Sequence, residues 1–245
     1  MRFVAFAVPV AILASTLISG CSSSSGSSTL LRTVDTVSSG TASTYLNGTL
    51  FAPAQTYVEA SEYISVSSAT DALTFTLSSA PSGTFAPVEE PIGSGSLYTA
   101  IIFGRADITN PTDIRYPRMS VVQDDRTSPG SGNSRVRVVH AAPDGVAYDV
   151  TINGTNEATN VGYTSVSGYN DISAGAEVIS VENTGTTTPV VTGTFSFNAG
   201  QLYTIFIVES VATGSPAYNI YVTNDSVTSS TSTITTPVTA AVKPI

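Results

Sequence analysis

Few side chains in this sequence are of the types that do chemistry. Cys21 is the only cysteine and His140 the only histidine. Any Ser-His-Asp triad would have to run through that one imidazole, and neither a multi-histidine nor a multi-thiolate metal set can be assembled. A lone histidine closing a strand reads as a packed, hydrogen-bonded residue. Adjacent carboxylates stand at Glu89-Glu90 and Asp124-Asp125, and two positioned carboxyl groups can hydrolyse a glycosidic bond. Both pairs fall in expected loop or linker, where solvated charge is the reading. Asp107, Asp113, Asp124 and Asp125 offer the hard oxygen atoms that calcium takes, without the regular spacing of a calcium loop. No glycine-rich phosphate loop precedes a helix, and no nucleophile elbow occurs. The expectation is a non-enzymatic protein with no metal and no cofactor.

The cysteine is different, because its surroundings specify a reaction. Met1-Arg2-Phe3 gives a basic start, an apolar run extends to about Leu13, and Ile18-Ser19-Gly20 precedes Cys21. A basic start, an apolar stretch of about 7–15 residues and small residues before the cut make a secretory signal. Ile18-Ser19-Gly20-Cys21 resembles the lipobox of bacterial lipoproteins, in which the cysteine sulfur takes a diacylglycerol before cleavage between Gly20 and Cys21. A membrane-spanning helix needs about 20 apolar residues, and Pro9 and Ser15 interrupt this run. Residues 1–20 are therefore read as a signal peptide. Residues 21–28 read as a Ser-rich tether from lipidated Cys21, holding the protein to a membrane with more than the single acyl chain that anchors only marginally. In a Gram-negative host, Ser22 after the cysteine favours the outer membrane over the inner one.

Composition narrows the class further. Acidic residues number 18 against 9 basic ones, a net charge of −9, and Lys243 is the only lysine. Nucleic acid, which is bound by neutralising phosphates with Lys and Arg, is excluded as a partner. Ser, Thr, Gly and Val are abundant and no long amphipathic helical stretch occurs, so the chain reads as all-β. Tryptophan is absent while tyrosines number 11, which weakens the case for an aromatic glycan platform without removing it.

An internal repeat organises the elements. Arg32-Thr33-Val34 aligns with Arg137-Val138-Val139, Tyr45-Leu46-Asn47-Gly48-Thr49 with Thr151-Ile152-Asn153-Gly154-Thr155, and Tyr57 and Tyr63 with Tyr163 and Tyr169. Gly95-Ser96-Leu97-Tyr98-Thr99 aligns with Gly200-Gln201-Leu202-Tyr203-Thr204. The offsets stay within one residue of each other. Two copies of one domain follow, 29–126 and 134–224, with a polar linker at 127–133 and a flexible Ser/Thr-rich tail at 225–245; one large sandwich of two half-sheets is the alternative. In the second copy Val136, Val138 and His140 alternate with Arg135 and Arg137, and Tyr148, Val150 and Ile152 with Asp149 and Thr151. Asn-Gly at 47–48 and 153–154 supplies turns with both residues at positive φ. Further strands are expected near Thr164–Tyr169, Glu177–Glu182, Val190–Phe197, Leu202–Val208 and Tyr218–Thr223. About seven short strands in this length predict an immunoglobulin-like, Greek-key β-sandwich in each copy. Tyr98 and Tyr203, each following a tight glycine turn, resemble the tyrosine corner of such sandwiches, in which the hydroxyl bonds backbone at the crossover.

Arg135-Val136-Arg137-Val138-Val139-His140-Ala141-Ala142-Pro143-Asp144, Asp149 to Gly154, Tyr163 to Tyr169, Ala174-Gly175 and Ala199 to Thr204 together resemble the domain of unknown function 4397 family. Its members are β-sandwich modules, often in tandem in secreted or lipid-anchored prokaryotic proteins. The likeness covers most of 134–224. The first copy is divergent, lacking the Pro-Asp turn and carrying Asp35 near the place of His140. The resemblance implies architecture and location, and brings no catalytic residues. A lipid-anchored envelope module with an adhesive, structural or binding role toward a protein or glycan is the leading expectation. A carboxylate-based glycan-active enzyme and an accessory subunit of an export or assembly complex are the alternatives.

Overall fold

The computed structural model describes residues 28–80, 85, 88–143, 145–210, 218–226, 236–237 and 239–240. The expected signal peptide, Cys21 and nearly all of the tether lie outside these residues, as do Asp144 and most of the tail. What is described is all-β, with no helix among the described residues.

The first repeat contributes β1 (Thr29–Asp35), β2 (Ala42–Leu46), β3 (Thr49–Gln55), β4 (Glu59–Ala60), β5 (Ile64–Val66), β6 (Thr70–Leu77), β7 (Val88–Pro91), β8 (Leu97–Phe103) and β9 (Arg118–Asp124). One sheet has the order β4-β1-β8-β9 with β5 also on β1, and the facing sheet has the order β3-β2-β6-β7. The second repeat contributes β10 (Asn133–His140), β11 (Tyr148–Ile152), β12 (Thr155–Val161), β13 (Asn170–Ser173), β14 (Gly175–Asn183), β15 (Pro189–Phe197), β16 (Leu202–Glu209) and β17 (Tyr218–Asn224). Its sheets are β13-β10-β16-β17 and β12-β11-β14-β15, the same order again. In both, the first strand runs parallel to the penultimate one, β1 with β8 and β10 with β16. The two-sandwich architecture is the one expected. The first repeat sets five strands against four, and the second four against four before two short strands of the tail join, whereas an immunoglobulin constant domain sets ABED against CFG.

Local chemistry sets the turns. Asn47 and Gly48 have φ of 50° and 77°, Asn153 and Gly154 of 48° and 79°, the both-positive pair of a type I′ hairpin. Each asparagine also clamps the neighbouring strand: Asn47 Oδ1 accepts from Ala72 N at 3.0 Å and Asn153 Oδ1 from Val178 N at 2.9 Å.

Each sandwich has its own core. Leu31, Phe75, Tyr98, Ala100 and Ile102 fill the first, and Val136, Val138, Tyr148, Ile179, Tyr203, Ile205 and Ile207 the second. A third apolar cluster belongs to neither. Val34, Val58, Ala60, Ile101 and Phe103 pack against Val139, Ala141, Phe206 and Val208. The β1/β8/β9 sheet and the β10/β16/β17 sheet therefore meet through their outer faces. This explains why β8 is buried along its entire length, and β16 along all but its last residue. A strand covered on both faces reads as a continuous apolar run instead of an alternating one.

Several expectations are corrected. Thr164–Tyr169 is loop, held to β10 by an isolated bridge from Val166 to Val139 and by backbone bonds such as Ser167 N to the Val138 carbonyl at 2.8 Å, and the strand follows at β13. β12, which pairs with β11 beyond the Asn-Gly turn, was not expected. Glu89-Glu90 lies in β7, paired with Ala72 and Asp71, not in a loop. Within the tail, Thr236–Pro237 (β18) pairs with β17 and Thr239–Ala240 (β19) with β15. The largest corrections concern Asp124, expected as solvated charge, and Asp225, expected in a flexible tail, which are only 4% and 5% exposed.

Candidate functional site at the domain interface

On β1 and β10 the side chains of Arg32 and Arg137 leave the outer face of their sheets, one turn of the strand pleat before Val34 and Val139. On an isolated sandwich that face would be wet. Here it is covered by the other domain, and both arginines are 2% exposed. Charges taken out of water must find partners, and each arginine finds the aspartate of the opposite repeat. Arg32 Nη2 pairs with Asp225 and Arg137 Nη2 with Asp124.

The rest of the cluster repeats with the fold. Arg32 Nε donates to Thr99 Oγ1 at 2.9 Å, and Arg137 Nε to Thr204 Oγ1 at 2.8 Å. Thr99 Oγ1 in turn donates to Asp124 Oδ2 at 2.7 Å and Thr204 Oγ1 to Asp225 Oδ2 at 2.6 Å. Tyr63 Oη donates to Asp124 at 2.8 Å and Tyr169 Oη to Asp225 at 2.6 Å. The guanidinium carbons of Arg32 and Arg137 stand 4.6 and 4.8 Å over the rings of Tyr63 and Tyr169, within cation–π range. Each repeat thus holds an Arg-Thr-Asp-Tyr constellation, and the two are cross-linked by exchanging arginines.

Electrostatics follow from this arrangement. Burial alone would lower the pKa of both arginines. Tyr63, Asp225 and Asp124 outweigh it for Arg32, and Asp124 and Asp225 for Arg137, so both stay charged. Burial also works against ionising Asp225, yet Arg32 and Arg137, with hydrogen bonds from Thr204 and Tyr169, hold it below the usual carboxylate range. Burial pushes the phenols of Tyr63 and Tyr169 up, keeping them neutral donors.

Away from this cluster the same interface is apolar, and Tyr57 and Tyr163, which share a repeat position, each pack on the other domain. Tyr163 of the second domain meets Phe103 of the first edge-on at 6.2 Å, and Tyr57 of the first meets Tyr221 of the second at 6.3 Å. Tyr57 Oη also donates to the Glu209 carbonyl, and Arg105 pairs with the Glu209 carboxylate at 3.3 Å. At the cluster end a cleft of about 190 Å³ opens between the domains, with Asp124, Asp125, Arg126, Asp225 and Ser226 among its lining.

The other sequence-predicted residues stand elsewhere. Tyr98 Oη accepts from Gly93 N at 2.8 Å and Tyr203 Oη from Asn198 N at 3.0 Å, both ending at the turn that precedes their strand. His140 and Asp35 occupy the same place in the repeat, opposite Ile207 and Ile102. His140 is fully buried, stacked on Tyr148 at 4.7 Å, with Nε2 2.9 Å from the Val146 carbonyl. Gly145 lets the loop approach it, since a Cβ there would lie 2.8–2.9 Å from Tyr148 Oη and the imidazole. Burial lowers the His140 pKa. Burial also pushes the Asp35 carboxyl up, to about 8. Asp107 and Asp113 pair with Arg105 and Arg115, and Asp125 with Arg135. Among the described residues no three His, Cys, Asp or Glu side chains gather as a metal set.

The Arg-Asp exchange escaped the sequence reading although most of its members were visible in it. Arg32, Tyr63, Thr99 and their counterparts are landmarks of the repeat. The signal was present: buried-strand arginines repeated at a constant offset. The aspartates do not align because more residues separate β8 from β9 than separate β16 from β17.

A family model described as a domain of unknown function, DUF4397, matches the chain twice, over residues 29–147 and 134–236. No curated protein matches it.

Proposed function

The chain belongs to the DUF4397 family and carries two of its domains in tandem, and from that premise we propose that it is an exported, lipid-anchored envelope protein. Its joined sandwiches serve a non-enzymatic structural, adhesive or binding role toward a protein or glycan. One observation carries the reading. The start of β1, the linker after β9 and the exit from β17 all emerge at the cluster end, where Leu30 N bonds the Ser96 carbonyl, Gly200 N the Asn133 carbonyl and Asp225 N the Leu202 carbonyl. The loops at 56–58, 104–117, 141–143, 145–147 and 162–165 lie at the opposite end of the strands. A lipid on Cys21 would therefore hold the cluster end toward the membrane and direct those loops away from it. The buried charges support a non-catalytic role, because Asp124 and Asp225 already accept from an arginine, a threonine and a tyrosine each.

Metabolic labelling with a radioactive fatty acid tests the anchor. The native chain takes label and sediments with membranes, and Cys21→Ser loses both while keeping the β-rich circular dichroism of the native chain. Label retained by Cys21→Ser would sink the proposal. Cross-linking in intact cells, with cross-links mapped by mass spectrometry, tests the display: cross-links to other envelope components confined to the cluster end would contradict it.

A further inference from the structure

The cluster has a property that the proposed role does not use. Each domain contributes one arginine and one aspartate to it. The second domain offers Arg137 and Asp225, and meets Asp124 and Arg32 of the first. A second-domain surface from another molecule would bring Asp225 to the place of Asp124 and Arg137 to the place of Arg32. Thr204 and Tyr169 would stand where Thr99 and Tyr63 stand. The apolar part corresponds too, with Phe206 and Val208 at the repeat positions of Ile101 and Phe103. A surface in which residue i meets j while j meets i is what a two-fold, isologous dimer requires. The tandem is built as such a dimer with its halves joined by a linker.

We infer that the second domain's half of this interface also fits a second copy of this chain, so that two chains join through their second domains when the first domain is displaced. Within one chain the short linker favours the internal partner, since tethering gives effective concentrations on the order of millimolar. The native chain is therefore monomeric at lower concentration, and the second mode emerges when the internal pairing is weakened selectively.

The test uses the full chain. Arg32→Asp leaves Arg137 facing Asp124, Asp225 and the introduced carboxylate, while the second-domain surface is untouched. Light scattering after size exclusion at micromolar concentration should show a twofold rise in mass over the native chain. Arg32→Asp/Arg137→Asp removes the arginine that would pair with the second copy's Asp225 and should return the mass to that of the monomer. Arg32→Asp/Asp225→Arg reverses one internal pair and makes the second-domain surface repel its own copy, so it too should be monomeric. Loss of folding in the first domain does not spare the inference, because the second-domain surface remains intact in Arg32→Asp. A monomeric Arg32→Asp overturns it, whatever its fold content. So does a dimer or larger species that persists in either double variant.

Discussion

Replacing Arg32 by methionine tests the interface at its most demanding point. The substitution keeps much of the aliphatic volume over Tyr63 and removes the charge. Asp225, fully buried, then keeps only Arg137 at 3.8 Å as a cationic neighbour, with Thr204 and Tyr169 as donors. Breaking a buried pair by removing one partner costs about 3–5 kcal/mol, because the survivor is left charged and uncompensated. The pair of Arg115 with Asp113 makes the contrast: both side chains are partly exposed, solvent screens them, and Arg115→Met should cost far less than Arg32→Met. Urea unfolding of the full chain, followed by circular dichroism because tryptophan is absent, measures both. Hydrogen exchange locates the loss. Although Arg32 belongs to the first domain, the amides of β16 and β17 in the second should lose protection. The linkage has a sign as well. Asp225 has a folded pKa below its unfolded one, so its contribution is complete above about pH 4 and disappears as pH falls through the folded value. The native chain should lose stability in that acid range, and Arg32→Met should lose less. A methionine variant within about 0.5 kcal/mol of native, or one whose exchange changes stay in β1 and β8, would refute the cross-domain reasoning.

Tyr203→Phe removes the acceptor for Asn198 N at the corner before β16 and should destabilise the second domain by about 1–3 kcal/mol; an unchanged melting temperature would contradict this. The buried groups at the repeated position, Asp35 and His140, give opposite pH slopes. Asp35 has a raised folded pKa of about 8, so stability falls as pH rises from about 4 toward 8, and Asp35→Asn should flatten that slope and raise the melting temperature at pH 8. His140 has a lowered folded pKa, so its contribution is present above about pH 6.5 and lost on acidification below it. Nitrogen NMR should find it neutral and protonated on Nε2, which faces the Val146 carbonyl; a protonated Nδ1 at neutral pH would be inconsistent with this packing.

Much of the fold was legible because it is written locally. Alternation in 148–152 placed Tyr148, Val150 and Ile152 in the core. The two Asn-Gly pairs specified hairpins whose backbone only such residues adopt cheaply, and the repeat of Arg32, Tyr57, Tyr63 and Tyr98 at a near-constant offset established two copies of one domain. What those landmarks were for was not legible. Period-two patterning separates the faces of a strand but does not say whether the second face meets water or protein, so Arg137, correctly placed opposite Val136 and Val138, reads as a surface charge. Asp124 and Asp225 sit just where the strands end, and their sequence context is that of a polar linker and a polar tail. Only the meeting of the two outer sheet faces removes water from these four residues, and once water is gone each charge must be matched by an opposite one across the interface. The sequence by itself determined the β-sandwiches and their duplication; the tertiary structure decided that they form one body, because pairing across the interface is a property of neither repeat alone.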